Sequence, residues 1–297
     1  MRPDSKLAAR ISGKEFIFTA EYLPVAGTGL TVDAGTFGSG LTAVNAADNH
    51  YGVSMSSLAA SVALLKAGIE PVLQMVTRDR NRIALQSDLL GAAHLGIRNV
   101  LCLSGFHQTL MGCGEAANVF DIDSIQLIDV VRRMNGGELL DGTKIRGDFA
   151  MLVGAVANPD LKPLELNILR LGKKVAAGAD FIQTQAVFDV DSFKVWLEAA
   201  RAASLTDRAA VLAGVLPLRS AAQAAELTAA HTDFIIPESI VNRLKAAGDD
   251  GAQEKEGVRI AAETINKLKG LPGLKGVHIL SGGNESCLSE LLAAVSQ

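Results

Sequence analysis

Cysteine is scarce. Cys102, Cys113 and Cys287 are the only three in 297 residues, and no two form a CxxC pair. That spacing argues against a disulfide framework and against a thiolate zinc site, and it points to a reducing, cytoplasmic setting. Aromatic residues are also few, at 4%. No run of about 18 apolar residues occurs, so the sequence predicts no membrane span. The segment from Met1 to Lys14 has no apolar signal-peptide core. A formal net charge of -4 with no Lys/Arg stripe argues against nucleic acid as a partner. No strand interior or strand end carries a lysine, which argues against a Schiff-base aldolase. No His and carboxylate group has metal-ligand spacing, so no metal site is expected.

Apolar residues are plentiful, at 48%. That is enough to offset chain entropy in a packed helix-and-sheet protein. Eight short β-branched runs read as strands: 15–21, 40–46, 70–76, 98–104, 149–156, 180–185, 210–216 and 276–280. Helical patterns fall between them. Met55, Leu58, Val62, Leu65 and Ile69 recur at steps of three and four. So do Leu161, Leu164, Ile168, Leu171 and Val175, and again Leu288, Leu291, Leu292 and Val295. Gly68, Gly96 and Gly178 stand just before strands, where a left-handed residue ends a helix. Strands alternating with helices imply parallel pairing, and eight such units imply a (β/α)8 TIM barrel formed by residues 1–297 as one domain. An open doubly wound sheet is the competing architecture, and it should carry a GxGxxG turn that this chain lacks. Two connections are long, from Gly105 to about Gly147 and from Arg219 to Lys275; the first holds a helix near 123–134 and the second two or three helices.

In a barrel, chemistry is expected at the carboxyl ends of the strands. The polar residues there are Glu21, Asn45, Asp48, Asn49, Gln74, Arg78, Asp79, Ser104, His107, Asn158, Gln183, Gln185, Asn284 and Glu285. Glu21 is the sharpest signal, because it ends the apolar run Phe16–Ala20 and precedes Tyr22-Leu23-Pro24. A partly desolvated carboxyl there gains pKa and suits a general acid near neutral pH. Position alone allows a solvated carboxylate equally well. The run Arg78-Asp79-Arg80-Asn81-Arg82 opens a helix. It fits phosphate or polyglutamate capture, and equally an ion-pair network with Asp79 and Asp88. Met111-Gly112-Cys113-Gly114 reads as a lid loop by composition.

An ordered set of short motifs then carries a resemblance. It runs through Glu21-Tyr22-Leu23-Pro24, Arg78–Arg82 with Ala84–Gly91, Asn99–Gly105, Phe120–Ser124, Ala157-Asn158-Pro159, Lys173-Lys174-Val175 with Ala177-Gly178-Ala179, Thr184-Gln185, Gly214–Pro217 and Gly276-Val277-His278. The chain resembles the methylenetetrahydrofolate reductase family, in particular its small bacterial, acetogen-like members. The resemblance implies reduction of 5,10-methylenetetrahydrofolate to 5-methyltetrahydrofolate by hydride transfer from a bound flavin. FAD is the implied cofactor, with FMN or no flavin as the alternatives. Glu21 matches the general acid, and Gln185 matches a glutamine that contacts the folate. Gln183 and Asn284 complete the implied substrate set. The implied cofactor set is Asn45, Gln74, Ser104, Gly105, Phe106, Phe120, Asp121, Asn158, Lys173 and Lys174.

The chain departs from the family pattern at several of these positions. Phe106 stands where the family has an aspartate; Asn45 replaces a threonine, Ser104 an arginine, and Asn158 a frequent tyrosine. The implied partners are a folate substrate, NAD(P)H or a redox partner protein, a second zinc-containing subunit, and further copies in a homo- or hetero-oligomer. Two alternatives remain: a flavin-free, methyltransferase-like folate-binding barrel, and an accessory subunit of a larger one-carbon complex.

Overall fold

The computed structural model describes residues 3–29, 32, 34–37, 40–110, 112–230 and 235–295. Eight parallel strands close on themselves in chain order: β1 (Ile17–Tyr22), β2 (Ala43–Ala46), β3 (Pro71–Val76), β4 (Asn99–Leu103), β5 (Leu152–Ala157), β6 (Phe181–Ala186), β7 (Ala210–Val215) and β8 (Leu274–Ile279). Closure comes from β1 pairing with β8, Ile17 opposite Gly276 and Ala20 opposite Ile279. The chain is therefore the TIM barrel that the alternation implies, and the open sheet is excluded. All eight predicted runs hold a strand.

The helices among the described residues are α1 (Lys6–Ser12), α2 (Ala34–Phe37), α3 (Ser57–Lys66), α4 (Arg82–His94), α5 (Ser124–Asn135) and α6 (Leu164–Ala177), followed by α7 (Val190–Ala202), α8 (Ala221–Ala230), α9 (Glu238–Ala247), α10 (Asp250–Leu268) and α11 (Cys287–Val295). The second long connection thus holds three helices. Local chemistry sets the ends. Asp123 and Gln126 form a reciprocal capping box on α5, and Gly68, Gly96 and Gly178 take φ of 79°, 92° and 115° as expected of left-handed caps. None of these helices is long and apolar enough to cross a membrane.

The C-terminal stripe is buried as predicted, at Leu288, Leu291, Leu292 and Val295. The stripe 55–69 is not. Met55 and Ile69 lie outside α3, and Leu58, Val62 and Leu65 are half-buried, whereas Ser57, Ala60, Ser61 and Leu64 are buried. Small residues let α3 approach β2 and β3 closely, so the larger side chains flank the contact.

The barrel interior is graded along its axis. At the amino end Ile17, Val72, Leu101, Leu152, Phe181 and Leu212 form an apolar plug with Leu7 and Ala8 of α1 beneath it. Glu70 holds α1 in place by accepting from the backbone N–H of Lys6 at 2.6 Å and of Leu7 at 2.9 Å, two of the donors a helix start leaves unpaired. Polar side chains begin one layer higher.

Candidate active site at the carboxyl end of the barrel

Side chains alternate across a strand, so Thr19 and Glu21 of β1 follow Ile17 up the interior. Asn45 of β2 and Gln183 of β6 meet across the axis as a reciprocal amide pair. Asn45 Nδ2 donates to Gln183 Oε1 at 2.7 Å, and Gln183 Nε2 donates to Asn45 Oδ1 at 3.2 Å. Gln183 Nε2 also lies 3.2 Å from His278 Nδ1, and Thr19 Oγ1 lies 3.0 Å from the same nitrogen. An acceptor role for Nδ1 fits both contacts and leaves the ring proton on Nε2. Burial depresses the His278 pKa to about 3, so the imidazole is neutral. All four side chains are buried, and their hydrogen bonds offset the loss of water.

Glu21 sits above this layer, paired in register with Asn45 and 5% exposed. Gln74 Nε2 donates to its Oε1 at 3.5 Å. Burial pushes the carboxyl above the ordinary carboxylate range; His50 and the Gln74 amide pull it back, and the charge of Glu285 pushes it further up. Glu285 is anchored after β8 by the Leu23 N–H at 3.3 Å and the Ser281 hydroxyl at 3.2 Å. Burial, with Glu285, also raises Tyr22; burial, with Glu21, raises Tyr51. A cavity of about 200 Å³ opens between the segments after β1 and β2, walled by Leu23, Pro24, Ala47, His50 and Tyr51; Glu21 is not part of its lining. Gln185 is half-exposed at the end of β6, and its amide makes no hydrogen bond among the described residues. Neither His50 nor Tyr51 carries a sequence signal; the pairing of β1 with β2 brings their loop to Glu21.

The arginine-rich run is an ion-pair network. Arg78 is 2% exposed and grips Asp79 with Nε at 2.7 Å and Nη2 at 2.8 Å. Its remaining donors reach the carbonyls of Asn49 at 3.2 Å and Phe106 at 3.4 Å. Asp79 in turn accepts from Gln108 Nε2 at 2.8 Å. One guanidinium thus ties together the loops after β2, β3 and β4. Arg80 pairs with Asp48 and Asp88, and Arg82 with Asp121.

Most of the implied cofactor set is engaged within the chain. Asn45 and Gln74 are bonded as described. The Ser104 hydroxyl accepts from the Ser124 N–H at 3.3 Å, at the start of α5. Asp121 receives the backbone N–H of Arg82 at 2.9 Å and the guanidinium, which holds it down at about 2. Asn158 caps its own turn by accepting from the Asp160 N–H at 2.9 Å. Lys174 donates to the Val156 carbonyl at 2.6 Å, and burial, with Arg170 adding to it, lowers its pKa. Lys173 is exposed, Phe120 is exposed with φ of 39°, and Phe106 is half-buried. Asn284 of the substrate set bonds Glu254 of α10, and Gln183 lies beneath Glu21. His107 is a loop residue held by Thr109 and Asn118, at 2.9 and 2.8 Å. Met111 of the lid loop lies outside the described residues.

A larger cavity, about 480 Å³, lies at the opposite end among Ile11, Leu152 and Ala210. Its Asn135 and Asp180 are bonded to the backbone of Met151 and Val153. Size alone favours this cavity; the convergence of Glu21, Gln74 and His50 favours the mouth, which is also where barrels keep their chemistry.

The family model described as methylenetetrahydrofolate reductase matches residues 33–296. A Caenorhabditis elegans protein named probable methylenetetrahydrofolate reductase (NADPH) is 23% identical over 82% of this chain and 34% of its own length. The Escherichia coli 5,10-methylenetetrahydrofolate reductase is 29% identical over 49% of each. The chain thus spans between a third and a half of these relatives. Among solved structures, an uncharacterized Clostridium thermocellum protein that binds two copies of 5-methyl-5,6,7,8-tetrahydrofolic acid superposes with a TM-score of 0.66, at 15% identity over 98% of each chain. That likeness establishes the shared fold.

Proposed function

Since this chain belongs to the methylenetetrahydrofolate reductase family, we propose that it binds a reduced folate at the barrel mouth and reduces 5,10-methylenetetrahydrofolate to 5-methyltetrahydrofolate. The observation that carries the reading is Glu21, a buried carboxyl with a raised pKa at the carboxyl end of β1, hydrogen-bonded to Gln74. Its proton goes to the bridging nitrogen N10, whose C–N bond breaks and opens the five-membered ring to a 5-iminium cation. Two electrons and a hydrogen delivered to that methylene carbon complete the methyl group. Gln185 presents a free amide to the pterin, which needs both a donor and an acceptor. The neutral layer of Asn45, Gln183, Thr19 and His278 beneath adds dipoles without a competing cation.

FAD is the family's usual cofactor, and this chain fits it in part. Around a flavin ring, Gly105 would allow close backbone approach, Phe106 would offer an aromatic face, and Gln74 would reach from the floor. At the phosphates Lys173 is the cation left without an ion pair, since Lys174 and Asp121 are engaged. When bound, a flavin would supply the hydride equivalent, re-reduced by NAD(P)H or a redox partner protein.

A second reading is favoured by the same engaged residues together with Phe106: a folate-binding barrel without its own flavin, methyltransferase-like or an accessory subunit. The two readings are separated by one experiment. The visible spectrum of the purified protein is recorded, and 5-methyltetrahydrofolate is added without oxygen. The first reading expects a two-peaked flavin spectrum that bleaches. A colourless protein that takes up no FAD or FMN, yet melts higher by about 5 °C or more at 100-fold excess over Kd, supports the second. Absence of both effects sinks folate binding itself.

A further inference from the structure

The cavity of about 480 Å³ at the amino end has no part in the chemistry above. Its size is that of a small-molecule site. The apolar plug stands between it and the mouth, and Leu152 of that plug forms part of its wall. Three cations line it from three places in the fold: Arg132 of α5, Arg208 in the turn before β7, and Lys275 of β8. Two carboxylates, Asp180 and Asp207, line it as well. Asp180 is committed to the wall, accepting from the Val153 N–H at 2.9 Å. Asn135 is committed through both ends of its amide. Its Nδ2 donates to the Met151 carbonyl at 2.9 Å, and its Oδ1 accepts from the Met151 N–H at 2.8 Å. The wall is therefore preformed.

The arginines are different. Neither guanidinium makes a hydrogen bond or an ion pair among the described residues. Lys275 gives one proton to the Gly13 carbonyl and keeps two. Arg132 is also held in place. Its stem passes directly over Gly178, where a Cβ would lie 2.4 Å from Arg132 Cγ and Cδ and 2.5 Å from Nε. The left-handed glycine that ends α6 thus clears the path of the guanidinium. An arginine laid down beside a cavity, with no acceptor from its own chain, is ordered in advance for an acceptor from outside.

We propose that this cavity is a second binding site, for a phosphate monoester with a small apolar body. A phosphate offers three acceptor oxygens and close to two negative charges, which suit Arg132, Arg208 and Lys275 together. The body lies against Ile11, Met151 and Leu152. Asp180 and Asp207 repel a second phosphate and so favour a ligand with one. The chain as a whole carries a net charge of -4, so the attraction for an anion is local to this cavity. The inference stands apart from the reductase reading, because the plug separates the two ends.

The probe is phenyl phosphate at pH 8, where the ester is a dianion. Inorganic phosphate and phenol serve as its two halves. Isothermal titration of the whole chain should give a Kd of about 1 mM or tighter for phenyl phosphate, and binding about 10-fold weaker or less for each half. R132Q and R208Q should each weaken the probe by about 10-fold or more, because each removes a charged hydrogen-bond donor. Should R132Q fail to fold through its packing on Gly178, R208Q decides, since Arg208 lies in an exposed turn. In ¹⁵N spectra the amide shifts should cluster at residues 132–135, 178–180 and 206–210. Shifts confined to the mouth around Glu21 and Gln185 overturn the proposal. So does the absence of binding at about 10 mM probe, an affinity for either half equal to that for the whole, or an affinity that R208Q leaves unchanged.

Discussion

At the scale of single residues, the site is governed by what burial does to Glu21. The folded protein holds this proton more tightly than the unfolded chain, whose value is near 4.5. Folding therefore takes up a proton between that value and the higher folded one, and stability falls as pH rises through the window and stays lower above it. Glu21→Gln removes this penalty. It should abolish turnover while sparing folate binding, and should raise the melting temperature by about 2–4 °C at pH 8 with little change at pH 4. Thermal melts at the two pH values, beside an activity assay, check this. A variant that melts lower at pH 8 would show that the carboxyl is not under strain. The sequence pointed to Glu21 from its place after an apolar strand. His50 and Tyr51 were not legible, because nothing in a polar loop reveals which strand end it will lie against.

At the scale of elements, the loop after β4 depends on Gly105. Its φ is +84°, and a Cβ there would lie 3.2 Å from Arg78 Cβ and 3.3 Å from Val76 Cβ. The backbone region strains any side chain there, and the space is tight enough that Arg78 and Val76 would have to give way by a few tenths of an ångström. Gly105→Ala should destabilise the protein by roughly 1–3 kcal/mol in urea unfolding. It should also loosen the Arg78 fork, seen as faster hydrogen exchange in the loops after β2 and β4; a variant as stable as wild type contradicts the packing described. The fork itself explains why a run of arginines misleads. In sequence Arg78, Arg80 and Arg82 offer three cations to a phosphate. In the fold Asp79, Asp48, Asp88 and Asp121 neutralise them, and three of those four carboxylates are six or more positions away from the arginine they meet.

At the scale of the whole molecule, the graded barrel interior carries a pH dependence of its own. His278 titrates at about 3 in the fold against an ordinary 6.5. The unfolded chain therefore binds the extra proton between these values. The stability contributed is fully present above about 6.5 and drains as pH falls toward 3, by roughly 1.4 kcal/mol per pH unit. His278→Gln should flatten this acid limb. Its stability relative to wild type should improve from pH 7 to pH 4 in denaturant unfolding. A constant difference across that range would mean that His278 is not buried neutral.

Strand count, parallel alternation and barrel class were legible in the sequence, since eight β-branched runs alternate with helical patterns and the GxGxxG turn of the competing open sheet is missing. The place of Glu21 at the carboxyl end of the barrel was equally legible, because it ends the apolar run of β1. Only the tertiary structure decided which polar residues are free to act. Asn45 and Gln183 read as strand-end ligands, yet they satisfy each other across the axis. Ser104, Asp121 and Lys174 read as cofactor contacts, yet they bond the start of α5, the start of α4 and the end of β5. The physical reason is that a polar side chain's hydrogen-bonding capacity is taken by whichever partner the fold brings within about 3 Å. Those partners come from elements distant in the chain, and no local pattern records them.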